Sequence, residues 1–289
     1  MLATAYSGER VVVETCASQP FGGIAGLGRS WICLLTITFA AFFVFPALSA
    51  PNATNELTTQ DEFAAYARKA FDTAELRFGQ DPTNSQKVLE FVRAGFDRGE
   101  FATNDTERAE LAERCIDVCR RWVAREPNSA AAHYYLGMNL GQLARTKLLG
   151  ALRIVDEMED EFKAAAKLDE HFDHAGPDRN LGLLYLEAPV FASIGSRSKA
   201  RQHLNRAVEL DPDYPENRLN LLEAHLKWHD RVGAIRQIRA LETLWPKAKE
   251  KLTGPEWDSS WADWQKRLDD AHKKLGDIPR TPGKPHQKA

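Results

Sequence analysis

The chain has 289 residues, 43% of them hydrophobic and 27% charged, with a formal net charge of −3. That composition excludes a collagen-like or largely disordered chain. The 38 Lys and Arg against 41 Asp and Glu leave none of the basic excess that a nucleic-acid surface carries, and four cysteines are too few for a disulfide scaffold.

The N-terminus reads as a targeting segment. No charged residue occurs from Ser30 to Asn55, and the apolar run Trp31 to Phe45 follows Arg29 and leads into Pro46-Ala47-Leu48-Ser49-Ala50. A positive flank, an apolar core and small residues at Ala47 and Ser49 form a secretory signal with cleavage after Ser49. The alternative is an uncleaved anchor over 30–50, which is long enough to span a bilayer and would be the chain's only route to a membrane. Glu9 and Glu14 are foreign to such a leader, which suggests a true start further on. The expected organisation is a signal over 1–49, a helical domain over 50–276 and a disordered basic tail over 277–289, where Pro279, Pro282 and Pro285 accompany Arg280, Lys284 and Lys288.

The remainder repeats itself. Ala200, Leu204, Ala207 and Pro212 form the spacing A-x3-L-x2-A-x4-P, and Ala234, Ile238, Leu241 and Pro246 repeat it 34 residues on. Cys115, Cys119 and Trp122 hold the same slots before Pro127; Ala70, Ala74 and Arg77 hold them before Pro82. A degenerate copy has Phe162 and Ala165, with Glu170 in the proline slot. Leu136-Gly137 follows Pro127, and Leu181-Gly182 with Tyr185 matches L-G-x2-Y. Small residues opposite Leu, Phe and Tyr let paired helices approach closely. Proline breaks one helix and opens the next at Glu126-Pro127-Asn128-Ser129 and at Asp211 to Asn217, and no alternating Val/Ile/Thr run reads as a strand.

In these features the chain resembles the tetratricopeptide repeat (TPR) family over about residues 60 to 250. The resemblance implies an all-α right-handed solenoid of antiparallel helix pairs, four to six in number, with loop insertions. A narrower similarity, to the periplasmic T component of TRAP transporters, rests on Asp173 to Tyr185 with Gly176-Pro177, Arg179, Leu181-Gly182 and Tyr185, on Ala188-Pro189, and on Ile194 to Ala200. It implies a helical-repeat protein associated with a periplasmic solute-binding partner.

Two insertions interrupt the repeats, Arg98 to Thr106 and Glu187 to Ser196. Insertions in solenoids map to loops on one face, often the binding face. The second is apolar, and Pro189, Val190, Phe191 and Ile194 either fold back or form a contact patch. In a TPR the first helix of each pair lines the concave groove. The family register places Leu89, Arg93 and Phe96 there in one unit; Tyr134, Met138 and Gly141 in the next; Arg179, Leu183 and Leu186 in the third; and Leu219, Glu223 and Leu226 in the fourth. Tyr, Met, Phe and Arg suit an interface core, though several of these positions serve equally well for helix packing. The groove lacks the ring of Lys and Asn that grips a peptide carboxylate.

Chemistry is sparse. Cys115 and Cys119, one helical turn apart, are either a redox pair or, as occupants of small repeat slots, core residues. His225 and His229 share a helix face without the H-E-x-x-H pattern and are too few for a zinc site, and Asp169 to His174 holds two His and three carboxylates in a predicted turn, where polar residues are expected in any case. Neither a nucleophile elbow, a P-loop nor a dinucleotide fingerprint occurs. Trp257, Trp261 and Trp264 share one face of a final helix, which either caps the last repeat or self-associates into a homo-oligomer. The expectation is an exported, non-enzymatic scaffold that binds a protein, without catalytic residues, metal or cofactor, in its finest version an accessory component of solute transport. The alternative is a binder of small hydrophobic ligands in a pocket under the 187–196 loop.

Overall fold

A computed structural model describes residues 53–147, 150–190 and 193–276. The signal or anchor over 1–49, the tail over 277–289 and Phe191 of the apolar loop lie outside the described residues. Among the described residues there are ten helices and no strand: α1 (Ala53–Gln80), α2 (Ser85–Glu100), α3 (Asp105–Arg125), α4 (Ala130–Ala144), α5 (Ala151–Leu168), α6 (Phe172–Glu187), α7 (Arg197–Leu210), α8 (Pro215–Lys227), α9 (Arg231–Lys251) and α10 (Asp258–Leu275). None of them is long and apolar enough to cross a membrane.

Consecutive helices pack on each other along the chain, which is the arrangement of an all-α TPR-like solenoid. The complete pairs are α2/α3, α4/α5, α6/α7 and α8/α9, with α1 before them and α10 after. Helix starts are set by side chains: Asn84, Asn104, Ser129, Ser196 and Asp230 each accept a backbone N–H of the first turn.

The repeat triplets are the buried seam of the second helices. Cys115 and Cys119 are fully buried with Trp122 at 3% exposure, and Phe162, Ala165, Ala200, Leu204, Ala207, Ala234, Ile238 and Leu241 are buried likewise. Glycine explains the first-helix signature. A Cβ on Gly137 would lie 2.7 Å from the Phe162 ring, and one on Gly182 would lie 2.6 Å from Leu204 Cγ, so a large residue on one helix fills the space a glycine leaves on its partner.

Two details of the repeat register need correction. In α1 the buried seam is Ala67, Phe71 and Ala74, while Arg77 is exposed and pairs with Glu90. Pro246 does not close α9. It lies inside the helix, which continues to Lys251 and ends where the Leu252 N–H bonds the Ala248 carbonyl.

Among the described residues, Cys115 and Cys119 are free thiols in the core; burial pushes Cys115 up to about 12 and Cys119 well above its usual range, so neither is a ready nucleophile. The tryptophan stripe of α10 is consumed in capping. Trp257 and Trp264 are buried with Tyr214, Ile238 and Leu241, and Trp261 packs at the edge of that cluster. These rings therefore close the last repeat.

Candidate functional site

The even-numbered helices also meet one another: α2 touches α4, α4 touches α6, α6 touches α8, and α8 touches α10. They form the more tightly spaced, inner layer of the stack, and the residues predicted from the repeat register all lie on it. Its centre is polar and closed.

The closure begins at the start of α6. Asp173, His174 and Ala175 all adopt left-handed backbone angles, with φ of 49°, 56° and 61°. Non-glycine residues pay about 1 kcal/mol or more each for that conformation. Arg179, one turn on, secures the strained turn. Its Nη1 donates to the carbonyls of Asp173 and His174 at 3.1 Å each and to Asn217 Oδ1 at 3.2 Å, and its Nη2 donates to Asp173 Oδ2 at 2.8 Å. Tyr134 OH donates to the same Asp173 oxygen at 2.5 Å, and Asn180 donates to Tyr134 OH at 3.1 Å. The His174 ring stacks on Tyr214 at 4.1 Å and pairs with Asp211 at 2.6 Å. The dense His and carboxylate stretch 169–174 is thereby dispersed into separate partnerships rather than gathered around one point.

From there the polar centre extends in both directions. On α10, Arg267 forks onto Glu223 through two bonds of 2.8 Å, reaches Asn220 Oδ1 at 2.5 Å, and lies 3.8 Å from Glu216 and 3.4 Å from Asp263. On α2, Arg93 lies in the electrostatic reach of Tyr135, Asp97, Asp173 and Tyr214, which belong to four different elements. Burial pushes Asp97 up to about 7, against the pull of Arg93, and pushes Glu216 up to about 7, against Arg179 and Arg267. Burial also opposes the charge of Arg179, but Tyr134 and Asp173 outweigh it and hold the guanidinium well above its usual range. Apart from Asn220 Nδ2, which has no hydrogen-bond partner among the described residues, these groups face one another across the helices. Paired arginines and carboxylates with no activated nucleophile make a structural tie rather than reaction machinery.

The predicted groove residues therefore divide. Phe96, Tyr134, Met138, Arg179 and Leu219 are buried, at no more than 6% exposure, and present no surface to a partner. The physical reason is the close spacing of the inner helices, which turns groove positions into helix–helix contacts. Gly141 is buried with them. Leu89, Arg93, Leu183, Leu186, Glu223 and Leu226 are half-buried and line what remains of the face. That remnant ends in an open cleft of about 470 Å³ formed by Glu223, Leu226, Lys227, His229, Asp230, Arg231, Lys274 and Leu275.

The apolar loop also divides. Pro189 and Val190 are exposed, while Ile194 packs against the main core. The loop is tied back by the Ser196 N–H on the Tyr185 carbonyl at 2.9 Å. A second hollow, between α4, α5 and α6, is lined by Met158, Phe162, Leu183 and Leu184 rather than by loop residues. It has about 20 Å³ of free space, room for a water and too little for a metabolite. His225 is buried against Asp230 at 2.9 Å, while His229 is exposed on the next turn, so the two imidazoles do not converge.

Sequence reasoning missed Asp97, Tyr214, Glu216, Asn217 and Arg267, which carry much of the polar centre, and weighed Asp173 only as part of a possible ligand cluster. All but Asp97, which faces Arg93 on its own helix, partner a residue on another helix, and helical periodicity within one segment does not reveal such pairs.

No protein-family profile matches the chain, and no curated protein matches it. Among solved structures it is similar to a thermophilic TPR protein of Thermus thermophilus, at 21% identity, with 75% of this chain and 97% of that one covered and a TM-score of 0.55. At that identity the likeness concerns the fold, and it identifies the architecture as TPR-like and all-α.

Proposed function

We propose that the protein is an exported, non-enzymatic scaffold that binds another protein along its inner helices. The observation that carries this reading is the continuous inner layer of α2, α4, α6, α8 and α10, whose half-exposed Leu89, Arg93, Leu183 and Leu186 lead into a cleft of metabolite-to-peptide size. Mixed apolar and charged positions on a rigid stack suit a polypeptide segment. The apolar run Trp31 to Phe45 and the Ala47-x-Ser49 site support export through a cleaved signal. The finer reading is an accessory role in solute transport with a periplasmic solute-binding protein as partner, and it rests on the segment from Gly176-Pro177 to Tyr185.

The test is affinity capture by the tagged full chain from the exported fraction of its own host. Wild type should retain a stable partner that Leu183→Glu/Leu186→Glu loses while its far-ultraviolet spectrum stays helical. Equal capture by both chains defeats the inner face. Release of a lipid or hydrophobic metabolite from the purified chain in native mass spectrometry, without a protein partner, defeats the protein-binding reading itself.

A further inference from the structure

The rim where α7 begins and α8 ends gathers cations that form no direct ion pair, although Asp230 lies within electrostatic reach of Arg201. Arg197 and Arg201, one turn apart on α7, both lie over the indole of Trp228 at the end of α8, with guanidinium carbons 5.3 and 5.0 Å from the ring centroid. Both are exposed, and Trp228 is half-buried. Among the described residues, no carboxylate lies within salt-bridge distance of either arginine, nor of exposed Arg236 on α9 or Lys274 on α10.

The carboxylates nearby are already committed. Asp230 caps α9 through the Gly233 N–H at 2.9 Å and holds His225 at 2.9 Å. Glu187 holds Lys227 at 2.8 Å, and Glu223 holds Arg267. Burial holds the His225 imidazole below its usual range against the pull of Asp230, and Arg201 and Arg236 lie near enough to add to that lowering. In a chain of net charge −3 these cations are a local excess. It adjoins the open cleft, in which the apolar side chains of Leu226 and Leu275 accompany Lys227 and Lys274.

We propose that this rim is a docking site for an acidic polypeptide segment, with Arg197 and Arg201 as its carboxylate fork and the adjoining cleft as the seat for apolar side chains between the acids. A guanidinium held over an aromatic face by its charge keeps N–H groups free for a carboxylate, which it can take through two parallel bonds. Trp228 therefore presets both arginines and reduces the side-chain entropy lost on binding. The leucines in the cleft favour a peptide over a nucleic-acid strand, because a phosphate backbone gains nothing from an apolar wall. The cations are also fewer than a nucleic-acid footprint commonly engages. The inference rests on the protein-binding reading in taking a polypeptide as occupant and in sharing the cleft where the inner face ends; Arg197, Arg201 and Trp228 are its own addition.

The experiment is fluorescence anisotropy on the full chain with a short labelled peptide of alternating Glu and Leu, and with its Gln/Leu counterpart. The Glu peptide should bind, weaken as salt rises, and lose about ten-fold in affinity with Arg197→Gln/Arg201→Gln, equivalent to about 1.4 kcal/mol. Arg197→Lys/Arg201→Lys keeps the charge but loses the guanidinium fork, and should fall between the two. Melting curves of both variants check the fold, and the Gln peptide and salt series test the proposal on wild type alone. Equal binding of the Gln peptide, or unchanged binding by a folded Gln variant, overturns the proposal. So does binding of single-stranded DNA or anionic phospholipid vesicles where the peptide does not bind. The Leu183→Glu/Leu186→Glu chain should bind the peptide like wild type. If only that chain loses it, the peptide sits on the inner face, and the rim proposal fails while the protein-binding reading stands.

Discussion

The junctions that open α6 and α8 occupy the same place in successive helix pairs and are built differently. Before α8 the chain runs Asp211-Pro212-Asp213-Tyr214, and Pro215 starts the helix in its first turn, where its ring fixes φ and its missing N–H costs nothing. Before α6 the proline slot holds Glu170, and the chain instead passes through three left-handed residues, Asp173 to Ala175. The first junction is shaped by local covalent restriction. The second is shaped by long-range bonding, since Arg179 on α6, Tyr134 on α4 and Asn217 on α8 hold its carbonyls and its acid. Where the repeat loses its local signal, tertiary contacts supply the geometry, and the strain they carry ties three helix pairs together.

The sharpest way to break this contrast is Arg179→Leu. It leaves Asp173 without its cation and two turn carbonyls without their donor, inside a site only 5% exposed at the arginine. Removing one partner of a buried pair costs about 3–5 kcal/mol, a fall of roughly 10 °C in melting temperature for a domain of this size. Circular dichroism melts would record it. A fall under about 3 °C would mean the left-handed turn stands without its arginine.

A second, smaller effect separates the two junctions by pH. Glu216, in the first turn of α8, is the buried acid of its junction, and burial lifts it to about 7 in the folded chain. A carboxyl whose folded pKa exceeds its unfolded value of about 4.3 binds its proton more tightly when folded, so its contribution to stability is complete below about pH 4 and is lost as pH rises to about 7. Asp97, also lifted to about 7, acts in the same sense. Melting temperature should therefore decline between about pH 5 and about pH 8, and Glu216→Gln should flatten that decline, more so when combined with Asp97→Asn. Asp211 and Glu126, held below their usual range, act in the opposite sense, and only in a window below about pH 4.5. An undiminished decline in the double variant would move the effect to other groups.

What the sequence disclosed and what it withheld follow the same division. The seams Ala200/Leu204/Ala207 and Ala234/Ile238/Leu241, and the glycines that face Phe162 and Leu204, are legible because burial on a helix repeats within a few residues. The tryptophans of α10 are legible for the same reason. The polar centre is not, because its bonds join residues about 40 positions apart, such as Arg179 to Asn217 and Arg267 to Asn220, and a buried arginine looks the same in one dimension as a solvated one. That is why Arg179 and Tyr134 read as groove residues and proved to be fasteners. The rim arginines passed unnoticed for a related reason: their shared indole lies on the next helix.

The smallest expected effect sharpens the comparison most. Glu170 occupies the second position of a turn closed by the Phe172 N–H on the Asp169 carbonyl at 3.3 Å, matching Pro127 between Glu126 and Ser129 and Pro82 between Asp81 and Asn84. Asp169 is extended, with φ −155° and ψ 100°, as a residue preceding proline must be. The second turn position suits proline, so Glu170→Pro restores the repeat's own signal without opposing the turn. Restricting the unfolded chain stabilises by about 0.4–1 kcal/mol, while the lost surface pair with Arg206 costs between about 0 and 1 kcal/mol. The urea midpoint should consequently move little in either direction, whereas Pro127→Glu should lower it by the equivalent of about 0.4–1 kcal/mol. A loss above about 2 kcal/mol for Glu170→Pro, beyond these two contributions combined, would show that the left-handed turn demands a backbone there that proline cannot adopt. The two junctions would then differ in the turn itself and not only in what holds it.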